Sequence, residues 1–374
     1  MKKLWILTLV LFTTMTSELF ISGLMSAMAK SFNVSVSQIG MLITYYALSM
    51  VIVGPLFTIL FIRVTPKTLL VGVSVIFLIG QTIGGITTNY PIMVISRILS
   101  GGASSVAIAV SLNIAFSQVP KEKQGAASSI VLSGLMLGSI IGLPLTTFIG
   151  HQFNWQLSYL LISIFIFISL ILVLLFIPKV PSENDINLED ELKLLKSKKL
   201  WLAYLTAFLI IGATFGISSY FEPLFTKASV FTIDQLPILL GVYGVMTLIG
   251  NFLVGKYGDK YTFKLLKIGI IQMIVAFALF IIFIDNPLIV IIAIILFGLS
   301  GISLNPATVV RVTKIAGGNT IVMTFLNSMI TFGIVIGTFI GNMSLIMGLP
   351  ITSVLYSGVI LCLLALLTVT YTRE

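Results

Sequence analysis

The sequence predicts an all-α membrane protein with twelve transmembrane helices in two pseudo-symmetric six-helix bundles. Hydrophobic residues make up 58% of the 374 positions, charged residues make up only 9%, and the mean hydropathy is +1.16. A soluble globule of this size needs more polar side chains to cover its surface. Because one span with a short loop takes roughly 30 residues, the chain has room for about twelve spans and no sizeable soluble domain.

Apolar runs of about 18 to 25 residues fall into two sets of six, and we number these spans one to twelve in chain order. The first set is expected at Leu4–Ala29, Gln38–Ile62, Thr68–Thr88, Ile92–Gln118, Gly125–Gly150 and Leu157–Ile177. The second set is expected at Leu200–Glu222, Gln235–Val254, Leu265–Ile284, Leu288–Val310, Thr320–Met343 and Ile351–Val369. Residues 1–177 and 200–374 are thus the two predicted bundles, and residues 178–199 are a predicted cytoplasmic linker.

Lysine and arginine mark the cytoplasmic side of a membrane protein, and here they occupy alternate connections. Of the 21 basic residues, 18 fall on one side, Lys30 and Lys227 fall on the other, and Arg97 lies within span four. We expect a cell-membrane protein with both termini in the cytoplasm. The net charge of +9 is explained by this placement and not by a nucleic-acid partner. Met1–Ala29 also resembles a cleavable signal peptide, but its removal would leave an odd number of spans.

Catalytic and cofactor chemistry has little support in the sequence. The single cysteine, Cys362, excludes an intramolecular disulfide. Neither clustered histidine, cysteine or paired carboxylates nor a nucleotide-binding P-loop appears, so we expect no enzyme activity, ATP-driven transport, metal or cofactor.

The two bundles repeat each other at a nearly constant offset, which indicates a parallel duplication. Gly134, Gly138 and Gly142 in span five match Gly333, Gly337 and Gly341 in span eleven, each 199 residues later. Six spans per repeat give both halves the same orientation in the membrane.

Three segments carry a family resemblance that covers nearly the whole chain. They are Gly255–Lys264 (GKYGDKYTFK), Ser96–Ala103 (SRILSGGA) and Gly134–Pro144 (GLMLGSIIGLP). They resemble the loop, fourth-span and fifth-span motifs of the major facilitator superfamily, in particular its twelve-span drug:proton antiporters of the arabinose-efflux-permease-like branch. The resemblance implies the major facilitator fold, a secondary transporter and, from the fifth-span motif, export.

Two of these motifs suggest gating elements. Asp259, Lys260 and Lys264 are expected to form a cytoplasmic latch that bonds helix ends in one state of the transport cycle. Gly134, Gly138 and Gly142 permit close helix contact in lipid, which is compatible with packing alone as well as with gating, and Pro144 belongs to the same motif.

Ionised side chains at membrane depth cost about 2.5 to 3.5 kcal/mol on insertion scales, so three of them are candidates for proton coupling. Glu18 lies past the middle of span one, Glu222 closes span seven, and Arg97 has Phe297 as its counterpart in the second half. Other readings stay open: Glu18 as a protonated packing residue, Glu222 as an interfacial carboxylate, and Arg97 as a structural cation.

The expected function is proton-coupled efflux of a small, hydrophobic, neutral or cationic compound such as a drug by a monomer in the bilayer. The competing interpretations are a sugar, nucleoside or other metabolite permease of the same fold, and a non-transporting scaffold or sensor. Membrane-depth polar groups are candidates for lining a substrate cavity: Asn113, Tyr45, Tyr243, Asn305 and Asn327.

Overall fold

The computed structural model describes residues 3–60, 64–120, 124–178, 195–316 and 320–371, without the side chains of residues 55, 58, 59, 124–126, 128, 259, 320, 321 and 324. Within these residues there is no β-strand, and twelve helices are long and apolar enough to cross a membrane. The predicted fold class and number of spans are confirmed. Most of the predicted linker, residues 178–199, lies outside the described part of the chain.

The chain divides into two compact units, Met1–Asn184 and Asp185–Glu374. In the first unit, span one is the helix Leu4–Leu19, a 3-10 turn Phe20–Gly23 and the helix Met25–Phe32. Spans two, three and four are Val36–Leu60, Pro66–Ile86 and Tyr90–Ser117. Span five consists of Gln124–Leu137, Gly138–Gly142 and Leu143–Gln152, and span six is Trp155–Phe176.

The second unit follows the same order with different interruptions. Span seven is Lys198–Ser218 followed by the short helix Phe221–Thr226. Spans eight and nine form one run of helix, Leu236–Ile282, with non-helical angles at Tyr261 (φ −126°, ψ 32°). The remaining helices are Pro287–Leu299 and Asn305–Ala316 for span ten, Thr320–Ile346 for span eleven and Ser353–Tyr371 for span twelve.

Proline and asparagine fix several helix starts. Pro66 and Pro287 occupy the first turn of spans three and ten, where a missing N–H is not needed for the helix ladder. Asn89, Asn154 and Asn286 cap spans four, six and ten, each accepting a backbone N–H with its side chain. The ends of these apolar segments are therefore set by local sequence signals.

Each unit packs its spans in the same pattern. Span one lies against spans five and six, and span three against spans four and six. In the second unit, span seven lies against spans eleven and twelve, and span nine lies against spans ten and twelve. Exposed apolar side chains such as Leu175, Phe252 and Leu367, each more than 60% exposed, fit a protein whose solvent is lipid.

The matched glycines lie at the tightest of these contacts. A Cβ added at Gly134 or Gly138 would stand 2.9 Å from the Phe12 nitrogen or 2.7 Å from the Met15 Cβ in span one. In the second unit, a Cβ at Gly333 would stand 2.5 Å from the Phe208 oxygen in span seven. Small residues thus bring the first helix of each unit against the fifth at backbone distance.

Candidate functional site

Span one is interrupted directly after Glu18. The α-helix ends at Leu19, a 3-10 turn covers Phe20–Gly23, and Leu24 has non-helical angles (φ −133°, ψ 14°) before the helix resumes at Met25. Breaks of this kind release backbone groups and permit local rearrangement. The carboxyl group predicted to carry the proton therefore lies at a joint between two helical segments.

The Glu18 side chain is only 6% exposed. Its Oε1 is buried without a hydrogen-bond partner among the described residues. Thr14 and Ser22, four residues before and after Glu18 in the chain, do not bond to it, because their hydroxyl groups donate to the carbonyl oxygens of Leu11 (2.8 Å) and Leu19 (2.6 Å). Glu18 is thus a buried acid whose surroundings leave an oxygen available.

Arg97 is completely buried and bonds to the same helix that carries Glu18. Its Nη1 donates to the Ser17 carbonyl oxygen at 2.9 Å and lies 3.4 Å from the Ser17 hydroxyl oxygen. Its guanidinium carbon lies 4.2 Å from the centre of the Tyr46 ring and 5.8 Å from that of Phe20. Span four thereby places a cation beside the break in span one.

Glu18 and Arg97 interact electrostatically without forming a direct ion pair. The guanidinium is near enough to act on the carboxyl group, but within the described residues no nitrogen–oxygen distance of 4.0 Å or less joins them. Two guanidinium positions of Arg97, Nε and Nη2, have no hydrogen-bond partner in the same part of the chain. The acid can therefore gain or lose its proton without breaking a salt bridge.

Ser17 and Gln81 complete this cluster, and Ser17 was not among the predicted site residues. The buried Gln81 of span three donates its Nε2 hydrogen to the Ser17 hydroxyl. Tyr46 of span two donates to the Thr14 carbonyl oxygen at 3.3 Å. Spans two, three and four thus all bond to span one within one turn of Glu18. The only signal for Ser17 in the sequence is its position next to the acid.

Aromatic residues of spans one and six pack beside the cluster within the first unit. Phe20 packs edge-on against Tyr159 with ring centres 4.6 Å apart, and Tyr159 packs against Trp155 at 5.9 Å. His151, the single histidine, places its Nε2 2.8 Å from the carbonyl oxygen of Gly23 in the break. Because a carbonyl can only accept, Nε2 carries the hydrogen of this bond.

The second unit has a related break beside Glu222. Span seven turns at Ser219 and Tyr220, and Glu222 is the second residue of the short helix Phe221–Thr226, with its side chain completely buried. The alternative of an interfacial carboxylate stays open for Glu222. In place of a guanidinium, Phe297 packs against the rings of Phe221, Tyr243 and Phe277 at 6.0, 5.3 and 5.1 Å.

The predicted end of span ten is wrong, and Arg311 lies inside the helix. We expected span ten to end at Val310 and Arg311 to lie in a loop, but the helix continues to Ala316 and Arg311 is 2% exposed. Its Nη1 donates to the Thr206 hydroxyl at 2.7 Å, and its guanidinium carbon lies 5.3 Å from the Phe263 ring centre. The apolar neighbours Val309, Val310 and Val312 were the available signal for burial.

The predicted cavity residues differ in their exposure. Tyr243 is 2% exposed and packs among aromatic rings of the second unit, whereas Asn113 and Asn327 are exposed. Tyr45 and Asn305 are half-buried, and the Oδ1 of Asn305 is buried without a hydrogen-bond partner in the described chain. Their contact with substrate stays a prediction.

The predicted latch is only partly described. Lys260 and Lys264 are exposed and lie over the Tyr261 ring, while the side chain of Asp259 is outside the described part of the chain. The latch therefore stays a prediction.

Pro144 and the glycines of span five produce a defined feature. The segment Gly138–Gly142 is a π-helical turn, and Pro144 follows it in the first turn of the helix Leu143–Gln152. The Leu143 N–H bonds back to the Gly138 carbonyl, five residues earlier. Because Pro144 has no N–H, it cannot continue the regular ladder at this point.

Comparison with known proteins agrees with this architecture. The family model of the Major Facilitator Superfamily matches residues 6–338. An uncharacterized MFS-type transporter of Bacillus subtilis (strain 168), YtbD, is 29% identical over 266 residues, which cover 71% of this chain and 67% of YtbD.

Solved structures of low sequence identity share the fold. A bacterial homologue of the human lysosomal transporter Spinster, in an inward-facing and unoccupied conformation, aligns over 99% of this chain and 94% of its own with a TM-score of 0.74 and 14% identity. A variant of the nucleoside transporter NupG aligns over 100% of both chains with a TM-score of 0.76 and 16% identity. The chain belongs to the major facilitator superfamily and is a secondary transporter of that type.

Proposed function

We propose that this transporter exports a small, hydrophobic, neutral or cationic compound in exchange for protons, with both termini on the cytoplasmic side of the cell membrane. The observation that carries the proposal is Glu18, a buried carboxyl group at a helix break, near a buried cation but not bonded to it. Export, as opposed to import, is supported by the resemblance of Gly134–Pro144 to the fifth-span motif of exporters.

The surroundings of Glu18 suit a group that changes its protonation state. Removal of a carboxyl group from water favours its neutral form, and a nearby cation favours its charged form. Arg97 is bonded to the Ser17 carbonyl oxygen, one residue before Glu18. Because Arg97 is bonded to the helix that carries Glu18, a change in water access at the break shifts the balance between the neutral and charged forms of Glu18 without moving Arg97 away.

Glu222 is the second candidate for the coupling proton. It is buried and follows the break in span seven as Glu18 precedes the break in span one. The second unit packs the Phe297 ring where the first unit has Arg97. We assign the main coupling role to Glu18, because the Arg97 guanidinium acts electrostatically on its carboxyl group.

The first experiment measures transport in everted membrane vesicles with a panel of dyes, antibiotics, sugars and nucleosides. Proton-driven accumulation of a hydrophobic compound, together with release of protons from the vesicle lumen, is the result expected for an exporter. The alternative of a metabolite permease is suggested by the fold shared with NupG, whose name is that of a nucleoside transporter. Movement of nucleosides or sugars alone would select that alternative.

The variant Glu18→Gln tests the coupling group. Glutamine keeps the size and hydrogen-bonding capacity of a protonated glutamate but cannot ionise. We expect proton-driven transport and its pH dependence to be lost, while the protein stays in the membrane and still binds substrate. The matched control is Asp234→Asn, which removes an exposed acid and should leave transport unchanged. Proton-driven transport by Glu18→Gln at the wild-type rate would show that the assignment is wrong.

A further inference from the structure

Cationic side chains converge on three consecutive residues at the junction of spans eight and nine. The Nζ atoms of Lys260 and Lys264 lie 5.1 and 5.8 Å from the centre of the Tyr261 ring. From span ten, the Lys314 Nζ donates to the Thr262 hydroxyl at 3.1 Å. We call Lys260, Tyr261, Lys264 and Lys314 the basic patch.

The buried Arg311 adds to the positive field beneath the basic patch. Its guanidinium carbon lies 5.3 Å from the Phe263 ring, so each of the residues 261–263 contacts at least one cation. Lys256 lies 5.4 Å from the Tyr257 ring on the preceding turn. The sequence 255–267 contains four lysines and one acid, Asp259, so the segment carries a clear positive excess.

Holding these ammonium groups together has an electrostatic cost. Lys260 and Lys264 both approach the Tyr261 ring, so their two ammonium groups cannot be farther apart than the sum of their distances to its centre. That upper limit is comparable with the Debye length of about 8 to 10 Å in salt solution, so the two charges repel each other. The cation–ring contacts are weak at an exposed site and offset only part of this repulsion. A bound anion between the lysines would turn the repulsion into attraction.

The geometry of the junction selects a lipid as the source of that anion. Tyr257 and Tyr261 are 44% and 39% exposed and lie where two spans meet, and exposed tyrosines at span ends occupy the headgroup region. Lys260, Lys264 and Lys314 are also exposed. Basic clusters next to a span end recognise anionic phospholipids, at about 1 kcal/mol per lysine.

We infer that the basic patch binds the phosphate of an anionic phospholipid headgroup in the leaflet that faces this end of the second unit. Lys260, Lys264 and Lys314 supply the charge, and Tyr261 supplies a rigid ring that holds two of the ammonium groups. Lys260 and Lys264 also belong to the predicted latch, so a lipid bound there would compete with the contacts that the latch makes.

The test measures binding of phosphatidylglycerol to the purified full-length protein in mixed detergent micelles by native mass spectrometry, against phosphatidylcholine. The double variant Lys260→Gln/Lys264→Gln is compared with Lys30→Gln/Lys227→Gln, which removes the same charge from exposed lysines elsewhere. We expect the affinity for phosphatidylglycerol to fall about 25-fold in the first variant, or about fivefold per lysine, and to change little in the second.

The charge-conserving variant Lys260→Arg/Lys264→Arg should restore binding and also serves if the glutamine variant fails to fold. An equal loss in both glutamine variants, or equal binding of phosphatidylcholine by the wild type, would overturn the inference. Displacement of the lipid by millimolar inorganic phosphate would point to a free anion instead. A further variant neutralises the acids in residues 183–191. If this variant binds the lipid and the wild type does not, the linker and not a lipid is the partner of the basic patch.

Discussion

Substitution of Gly134 by alanine is the sharpest test of the packing between spans one and five. The new Cβ would stand 2.9 Å from the Phe12 nitrogen and 3.0 Å from the Leu11 Cβ, and closer still to the Thr8 carbonyl oxygen. Carbon atoms in ordinary contact are about 3.5 to 4.0 Å apart. Because the obstacles include backbone atoms, span one itself must move by about 0.6 Å or more.

The size of the effect follows from two opposing terms. Forcing an extra methyl group into a packed interface costs about 1 to 3 kcal/mol, whereas replacing glycine by alanine inside a helix returns about 1 kcal/mol. Gly72, in the helix Pro66–Ile86, supplies the control because a Cβ there would have no atom within 4 Å. The difference between the two variants therefore isolates the cost of contact, about 2 kcal/mol.

Thermal unfolding of the purified variants in one detergent measures this difference. For a unit of fewer than 200 residues, 2 kcal/mol corresponds to roughly 4 to 8 °C in apparent Tm. We expect Gly72→Ala to melt at or slightly above the wild type and Gly134→Ala to melt below it. Equal melting temperatures for the two variants would refute the close approach of these helices.

Two further predictions concern the buried cations. Arg97→Lys keeps the charge, but an ammonium group lacks the planar shape by which a guanidinium stacks over Tyr46 while it bonds to span one. We expect initial transport rates in everted vesicles to fall about tenfold or more. Wild-type rates would contradict the proposed role. Arg311→Met should change the free energy of unfolding by less than about 1.5 kcal/mol, because Thr206 retains bonds to the Leu202 carbonyl oxygen and the Thr368 hydroxyl. Thr206→Val should cost more, about 1 to 3 kcal/mol, because it removes an acceptor from a buried charge; the reverse order in thermal unfolding would oppose this account.

The sequence could predict the spans and the repeat because both depend on averages over many residues. Twelve apolar runs and one shared glycine spacing can still be recognised when the ends of each span are misplaced by several residues. Glu18 and Arg97 were also predictable, since an ionised residue inside an apolar run is conspicuous. The span-ten helix shows the limit of this approach: hydropathy ended it at Val310, although the helix continues past the buried Arg311 to Ala316.

The contacts that define the candidate site had no comparable signal. Arg97 bonds to a backbone carbonyl of Ser17, and every residue has a carbonyl, so no residue type could indicate it. The breaks themselves have partial local signals: Pro223 lacks the N–H that would bond to the Ser219 carbonyl, and Ser22 and Gly23 lie in the turn after Glu18. The bond from His151 to the Gly23 carbonyl, in contrast, joins residues 128 positions apart, and a local sequence window contains no sign of it.

The exchange of Arg97 for Phe297 has a consequence for how a duplicated chain can diversify. A hypothetical protein built from two copies of the first unit would bury two guanidinium groups, and one built from two copies of the second would have aromatic packing at both positions. Neither of these hypothetical proteins would have a guanidinium at one of the two matched positions and an aromatic ring at the other. Divergence after duplication therefore made the two matched positions chemically different, and the single chain keeps them together in a fixed ratio.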